Sequence, residues 1–355
     1  MGALGNRLAG ALANTAIFLV VTAIGLLVLE FASRVLFPLP PGTDFRDEAG
    51  NSIELFRSGT LLVADLEFFQ VSPDFNVRSH TGPMGLRAPE PGPAPNVIFL
   101  GDSFTFGQGL TDDQTIPAIY CAETKQDCAN LGFPGTGTYR QIAILEHWLG
   151  EVGWRPQEVN LLVFAMASGL GAGNDLFDTV DEVQRAAVTP TTPGSNRTET
   201  AEVDGGVQAG DEAVGFLPWI LSKRQWIRVN SNLARFVVLH IGPTLRSWFS
   251  LDPTAADYEE GIQVMTEQLM RLDALSQRYE FEYTIFLLHP MQDLMRNTFR
   301  ETADAMRSAA PASVEIIDTA QALMDDPARF YFPYDGHFNP DGAQAIAQFL
   351  IDRDR

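Results

Sequence analysis

Basic residues are scarce in this 355-residue chain, with 24 Lys and Arg against 45 Asp and Glu and a formal charge of -21. Nucleic-acid affinity rests on clustered Lys and Arg that displace counterions from phosphates, so no nucleic-acid partner is expected. Cysteine is nearly absent, with Cys121 and Cys128 alone, and neither has the neighbours of a zinc-binding cluster. Histidine occurs five times, and no His-x-x-x-His pair is among them. Neither a metal nor a cofactor is therefore expected. Aromatic residues are missing from Val188 to Gly215, a stretch of Thr, Gly, Pro and acid. Such a composition buries too little surface to form a core and reads as a mobile loop.

What is present is a chain that is 45% hydrophobic and 10% aromatic, enough for a folded interior. Its length suits one large α/β domain with attachments, since single cores stop growing at about 250–300 residues. From Leu8 to Leu29 run 22 residues without a charge, and a helix of that length spans about 33 Å, enough for a bilayer core. The run is longer than a cleaved leader's and leaves through Glu30, Phe31 and Arg34, so residues 1–36 read as an uncleaved single-pass anchor. Flanking Lys and Arg are too balanced to set its orientation.

Residues 37–95 read as a Pro- and Gly-rich stalk followed by an irregular, partly β extension. From Asn96 a strand-then-helix alternation begins, which favours a mostly parallel sheet with helices on both faces. The expected strands are Val97–Leu100, Ala129–Gly132, Val159–Met166, Tyr283–Leu288 and Val314–Ile317. The expected helices are Thr115–Ala122, Tyr139–Leu149, Ala255–Tyr279 and Pro340–Ile351. A mobile or helical insertion at about 176–254 interrupts the domain spanning 96–355. Within it, Trp219–Phe249 carries three tryptophans and five cations; it reads as helices packed on the domain, as an active-site lid, or as a membrane-surface stretch. On one continuous helix Cys121 and Cys128 lie too far apart to bond, whereas a turn over Thr124–Asp127 brings them together. A bonded pair and two unpaired core residues both remain open.

The segment NVIFLGDSFTFG at 96–107 places Ser103 at the end of a buried strand and the start of a helix, where ligands of open α/β sheets bind. Its backbone N–H and the helix start both favour developing negative charge, although an Asp-Ser pair is also a plain helix cap. A nucleophilic serine needs a base. His240 lies in an apolar run, His80 in the extension, His147 on an amphipathic helix and His289 at a strand end. His337 instead lies in DGHFNPDG, a loop before the last helix with Asn339 as cap and Pro340 at the first helical position. Asp335 is placed to accept its Nδ1 proton and fix the tautomer. A metal site built from Asp335, His337 and His289 is the weaker reading of the same residues.

GDSFTFG (101–107), NLGFPGTGT (130–138), GND (173–175) and DGHFNPDG, in that order, resemble the motif blocks of the SGNH/GDSL hydrolase family. The stretch from Asn76 to Arg87 is similar to the lead-in of anchored members associated with cell-surface polysaccharides. The resemblance covers the chain from about Asn96 onward. It implies a three-layer α/β/α fold, with Ser103 as nucleophile, His337 as base and Asp335 as orienter. It also implies an oxyanion hole from the N–H groups of Ser103 and Gly132 and the side-chain amide of Asn174. In two respects the chain departs from the family: the aspartate commonly lies three residues before the histidine, where this chain has Tyr334, and Ser168 stands nearer the expected place of Asn174. The resemblance puts the body outside the cytoplasm, periplasmic or at the cell surface, acting on acyl esters, acylated glycans among them. A serine esterase, an O-acyltransferase on a glycan, and a non-catalytic polysaccharide- or partner-binding module share these motifs. Oligomeric state is not encoded legibly.

Overall fold

The run Val-Ile-Phe-Leu-Gly has no polar side to turn toward water, and it forms a strand, Val97–Gly101, with every residue buried. In the computed structural model, which describes residues 2–36, 43–58, 61–165, 175–188, 231–237, 255–311 and 314–353, this strand is central to a parallel sheet. Two compact units are distinguished: residues 1–42 with 204–251, and residues 43–203 with 252–355.

In the first unit, α1 (Gly2–Leu36) is one uninterrupted helix. Its stretch Ile17–Leu36 has a mean hydropathy of 2.0 and leaves side chains such as Phe18, Leu27 and Phe31 exposed. A helix of this length and apolarity is able to cross a membrane. The apolar window lies nearer the carboxyl end than the charge-free run in the sequence because Gly and Ala dilute the first turns. Glu30 accepts hydrogen bonds from the Ser231 hydroxyl at 2.7 Å and from the N–H groups of Asn232 and Leu233 at 3.0 Å. It thereby satisfies the first donors of the short helix Asn232–Phe236. The rest of the tryptophan-rich stretch, His240, and the loop from 189 to 215 lie outside the described residues.

The second unit begins with an antiparallel extension. Strands β1 (Asp44–Arg46), β4 (Glu67–Val71) and β5 (Asn76–His80) form one small sheet, and β2 (Phe56–Ser58) pairs with β3 (Leu61–Leu62). The α/β body follows: β6 (Val97–Gly101), α2 (Ser103–Phe106), α3 (Ile116–Thr124), β7 (Cys128–Gly132), α4 (Thr138–His147), β8 (Glu158–Phe164) and α5 (Asp175–Val188). After it come α6 (Ala255–Tyr279), β9 (Glu282–Leu288), α7 (Met291–Arg296), α8 (Phe299–Ala309), β10 (Glu315–Asp318) and α9 (Pro340–Arg353). The sheet is five-stranded, in the order β10-β9-β8-β6-β7, and all its pairings are parallel.

Alternation along the strands feeds two cores, because successive side chains point to opposite faces. Ile98, Leu100, Leu161 and Ile285 join α4 and α6 through Ile142, Leu145, Leu269 and Leu272. Val97, Phe99, Leu162 and Phe286 join α3 and α9 through Ile116, Tyr120, Ile346 and Leu350. The result is the expected three-layer α/β/α sandwich. The expected strands and helices of the body all form, with ends shifted by one to a few residues. Cys121 and Cys128 are disulfide-bonded with Cα atoms 6.1 Å apart. Lys125, in the left-handed conformation at the end of α3, turns the chain from helix to strand and brings the two together.

The strand order has a consequence for function. From β6 the chain moves to β7 at one edge, then crosses back over β6 to β8. The carboxyl end of β6 is therefore a topological switch point, where adjoining connections leave in opposite directions and open a crevice.

Candidate active site

Ser103 is two residues beyond β6, at that switch point. Asp102 caps the four-residue helix α2, its Oδ1 accepting from the Phe104 N–H at 2.9 Å. The Asp-Ser pair is thus a helix cap, with Ser103 the first residue of α2. Arg87 and Gln70 of the extension hold the far end of the same segment. The Arg87 guanidinium, fully buried, donates to the carbonyls of Phe106, Gly107 and Leu110 at 3.2, 3.2 and 2.8 Å and is paired with Asp112 at 2.9 Å. Gln70 Oε1 accepts from the Gly109 N–H at 3.0 Å.

Although 234 residues separate them in sequence, His337 Nε2 lies 2.6 Å from Ser103 Oγ. His337 Nδ1 lies 2.5 Å from Asp335 Oδ1. The loop carrying both is closed by hydrogen bonds from Phe332 N–H to His337 O (2.8 Å) and from Gly336 N–H to Phe332 O (3.0 Å). Asn339 caps α9 by accepting from the Gly342 N–H at 3.0 Å. Phe104 packs against the imidazole, ring centroids 4.5 Å apart, stacks on Phe164 at 4.2 Å and meets Phe338 edge-on at 4.9 Å. Ser103 and His337 remain half-buried. Asp335 faces Nδ1 despite being only two residues before the histidine, while Tyr334 is 70% exposed.

Electrostatics separates the carboxylates nearby. Burial pushes the Asp335 carboxyl up, but the hydrogen bond and charge of His337, together with hydrogen bonds from Thr43 and Gln108, hold it below its ordinary value. It is ionised at neutral pH. Asp102 is the opposite case: burial pushes it up to about 7 despite the Phe104 N–H and the attraction of His337. Its Oδ2 has no hydrogen-bond partner among the described residues. Asp175 is also fully buried; burial and the charge of Asp102 raise it well above the carboxylate range. It accepts from the Phe164 N–H at 3.0 Å and from Gln141 Nε2 at 3.3 Å. Glu182, pushed up to about 7 by burial, accepts from the N–H groups of Gly137 and Arg140.

The Gly132 N–H, expected to face an oxyanion, is donated to Asn130 Oδ1 at 2.9 Å. Glycine is needed there because a Cβ would overlap the backbone of Thr105 and Phe106 in α2. Three residues on, Gly135 has φ +71° and open space where a Cβ would stand. Its N–H makes no hydrogen bond among the described residues. Asn174, with Ser168, lies outside the described residues. His289 is not part of the constellation, for its ring is paired with Asp318 at 2.8 Å, and His80 is paired with Asp112. Among the described residues no group of three or more His, Cys, Asp or Glu is disposed to hold a metal ion.

Three residues near the histidine escaped the sequence. Gln108 Nε2 donates to Asp335 Oδ2 at 3.2 Å, Thr43 Oγ1 donates to the same oxygen, and Asp74 accepts from the Tyr334 and Asp335 N–H groups. Only Gln108, five residues after the serine and directly following GDSFTFG, lies beside a motif that could have flagged it.

No protein-family model matches the sequence, and no curated protein matches it significantly. Several solved structures are similar. One, assigned as a lipolytic protein of the G-D-S-L family from Desulfitobacterium hafniense, is 12% identical with a TM-score of 0.40, covering 72% of this chain and 97% of its own. An alpha/beta hydrolase enzyme from the metagenome of Lake Arreo is 16% identical with a TM-score of 0.36, covering 73% and 94%. A carbohydrate esterase family 2 enzyme with a carbohydrate binding domain, from Corynascus thermopiles, is 11% identical with a TM-score of 0.35, covering 88% and 86%. At these identities and scores the likenesses carry no weight for activity or for the roles of residues.

Proposed function

We propose that this chain is a serine-dependent acyl-ester hydrolase, held to a membrane by α1 with its α/β body outside the cytoplasm. The observation that carries the reading is the pair of contacts at one imidazole, 2.6 Å to the Ser103 hydroxyl and 2.5 Å to the Asp335 carboxylate. Ser103 Oγ attacks the ester carbonyl while His337 Nε2 takes its proton. Asp335, ionised, holds the tautomer with Nδ1 protonated and stabilises the imidazolium that forms. His337 then gives the proton to the leaving alkoxide, so the alcohol departs and an acyl ester remains on Ser103. Water, deprotonated by the same imidazole, releases the acid and restores the serine.

The tetrahedral oxyanion needs donors aimed at it, and losing one typically costs about 3 kcal/mol of barrier. The reading assigns them to the N–H groups of Ser103 and Gly135 and the side-chain amide of Asn174. Gly135 replaces Gly132 because the Gly132 N–H is engaged by Asn130 Oδ1, and strands β6 and β7 pair in register from Val97–Cys128 to Gly101–Gly132. Residues two and three beyond those ends therefore emerge at the same edge of the sheet. With α2 only four residues long, the helix field adds little. The motif resemblance supports an acylated carbohydrate as substrate class, O-acetyl esters in particular. A sugar hydroxyl in place of water would make the same site an acyltransferase.

The test is hydrolysis of p-nitrophenyl acetate and labelling by a fluorophosphonate, using the full chain in a nonionic detergent. Ser103→Ala should lose labelling and lower kcat by more than about a thousandfold. Equal rates in the two proteins would remove the reading, and an unlabelled, inactive parent would favour a binding module.

A further inference from the structure

Asp335 sits on a loop whose other residues largely face solvent. Its neighbours Pro333, Tyr334 and Gly336 are exposed, and Gly336 adopts φ +86°. A carboxylate there, with one oxygen on the imidazole, is free to turn about its Cβ–Cγ bond unless the second oxygen is fixed. That second oxygen, Oδ2, receives two donors: Gln108 Nε2 from the serine's own loop and Thr43 Oγ1 from the residue just before β1. The backbone of the loop is fastened as well. Asp74 Oδ2 accepts from the N–H groups of Tyr334 at 2.9 Å and Asp335 at 2.7 Å. Asp74 is itself set in the β4–β5 turn, where its N–H donates to Ser72 Oγ at 3.1 Å and Ser72 N–H donates to Phe75 O at 2.8 Å. Beside it, the rings of Phe75 and Phe332 pack at 4.9 Å.

Building on the serine-hydrolase reading, we propose that the antiparallel extension positions the Asp335 carboxylate through Thr43 and Asp74. Thr43 is a positioning residue for the reaction. Asp335 acts only through His337, and a carboxylate whose two oxygens are both engaged in one orientation presents Oδ1 to Nδ1 throughout the cycle. Thr43 touches neither substrate nor the reacting atoms, so its loss should leave substrate binding alone and slow the step that needs an oriented imidazole. The side chain needed is a hydroxyl; a methyl group of the same shape cannot donate.

Thr43→Val keeps the shape and removes the donor, and Thr43→Ser keeps the donor and removes the methyl. With the full chain in detergent and p-nitrophenyl acetate, Thr43→Val should lower kcat about tenfold with KM within about twofold. Thr43→Ser should restore most of the parental kcat. Asp74→Ala, which removes the acceptor for both loop N–H groups, should lower kcat in the same way and gives a second line if Thr43→Val is poorly folded by circular dichroism. A Thr43→Val protein with parental kcat, or a Thr43→Ser protein as slow as Thr43→Val, would overturn the proposal while Ser103→Ala remained inactive. A Ser103→Ala protein as fast as the parent would instead remove the hydrolase reading on which the proposal rests.

Discussion

Asp102 offers a way to read the interior beneath the serine through stability. Its carboxyl is buried, one oxygen caps α2, and the other has no partner among the described residues. Burial pushes its pKa from 3.8 to about 7. Below about pH 4 the group is protonated whether the chain is folded or not, and it adds no pH dependence. Between that point and about 7 the unfolded chain releases the proton and the folded chain keeps it, so stability falls as pH rises. Above about 7 both states are ionised and the loss levels off. At about 1.4 kcal/mol per pH unit the total is on the order of 4 kcal/mol, about 3 of it between pH 5 and 8. Asp102→Asn keeps the oxygen that accepts from Phe104 and removes the ionisation. It also relieves Asp175, whose pKa is raised in part by the charge of Asp102, so the two effects add. Tryptophan fluorescence should give a parental Tm that drops between pH 5 and 8 by roughly 4–8 °C more than that of Asp102→Asn. Two curves that run parallel within about 1 °C would refute the assignment of a protonated carboxyl at this position.

Gly132→Ala drives a Cβ into the backbone of α2, where no side chain can give way, and should cost at least about 3 kcal/mol, read as a lowered Tm. Since alanine retains the N–H, a Gly132→Ala protein with parental Tm but reduced kcat would refute the packing role assigned to this glycine. Reducing the Cys121–Cys128 bond, or replacing both cysteines with serine, should destabilise by about 2.5 kcal/mol from the closure of so short a loop; an unchanged denaturation midpoint would refute that figure.

The buried strands were legible because a parallel strand covered on both faces is a continuous apolar run, and β6 and β8 are of that kind. Ser103, Asp335 and His337 were legible because each lies in a local motif of strand end or helix entry. The engagement of the Gly132 N–H by Asn130 Oδ1 was not legible, for a local reason. Gly132 and Gly135 stand three residues apart, and composition cannot tell which N–H the Asn130 side chain consumes. Thr43 and Asp74 left no trace, since their partners lie 292 and 261 residues away and a threonine or aspartate in a turn is ordinary. The helix α7 escaped because it is only six residues long, with Met295 exposed on its outer side, and α8 because Arg300, Glu301, Asp304 and Arg307 stand among the buried Phe299, Ala303 and Met306.

The sealed Arg87 guanidinium sets a limit on how the chain can be shortened. A fragment beginning at Asn96, where the α/β alternation starts, would strip the Phe106, Gly107 and Leu110 carbonyls of their donor and leave Asp112 without its cation. Orphaning such groups costs several kcal/mol, and the segment so loosened is the one that carries the serine. A trimmed form that keeps this segment fastened therefore has to start before Arg87 and retain the strand that carries Gln70, whose side chain accepts from the Gly109 N–H.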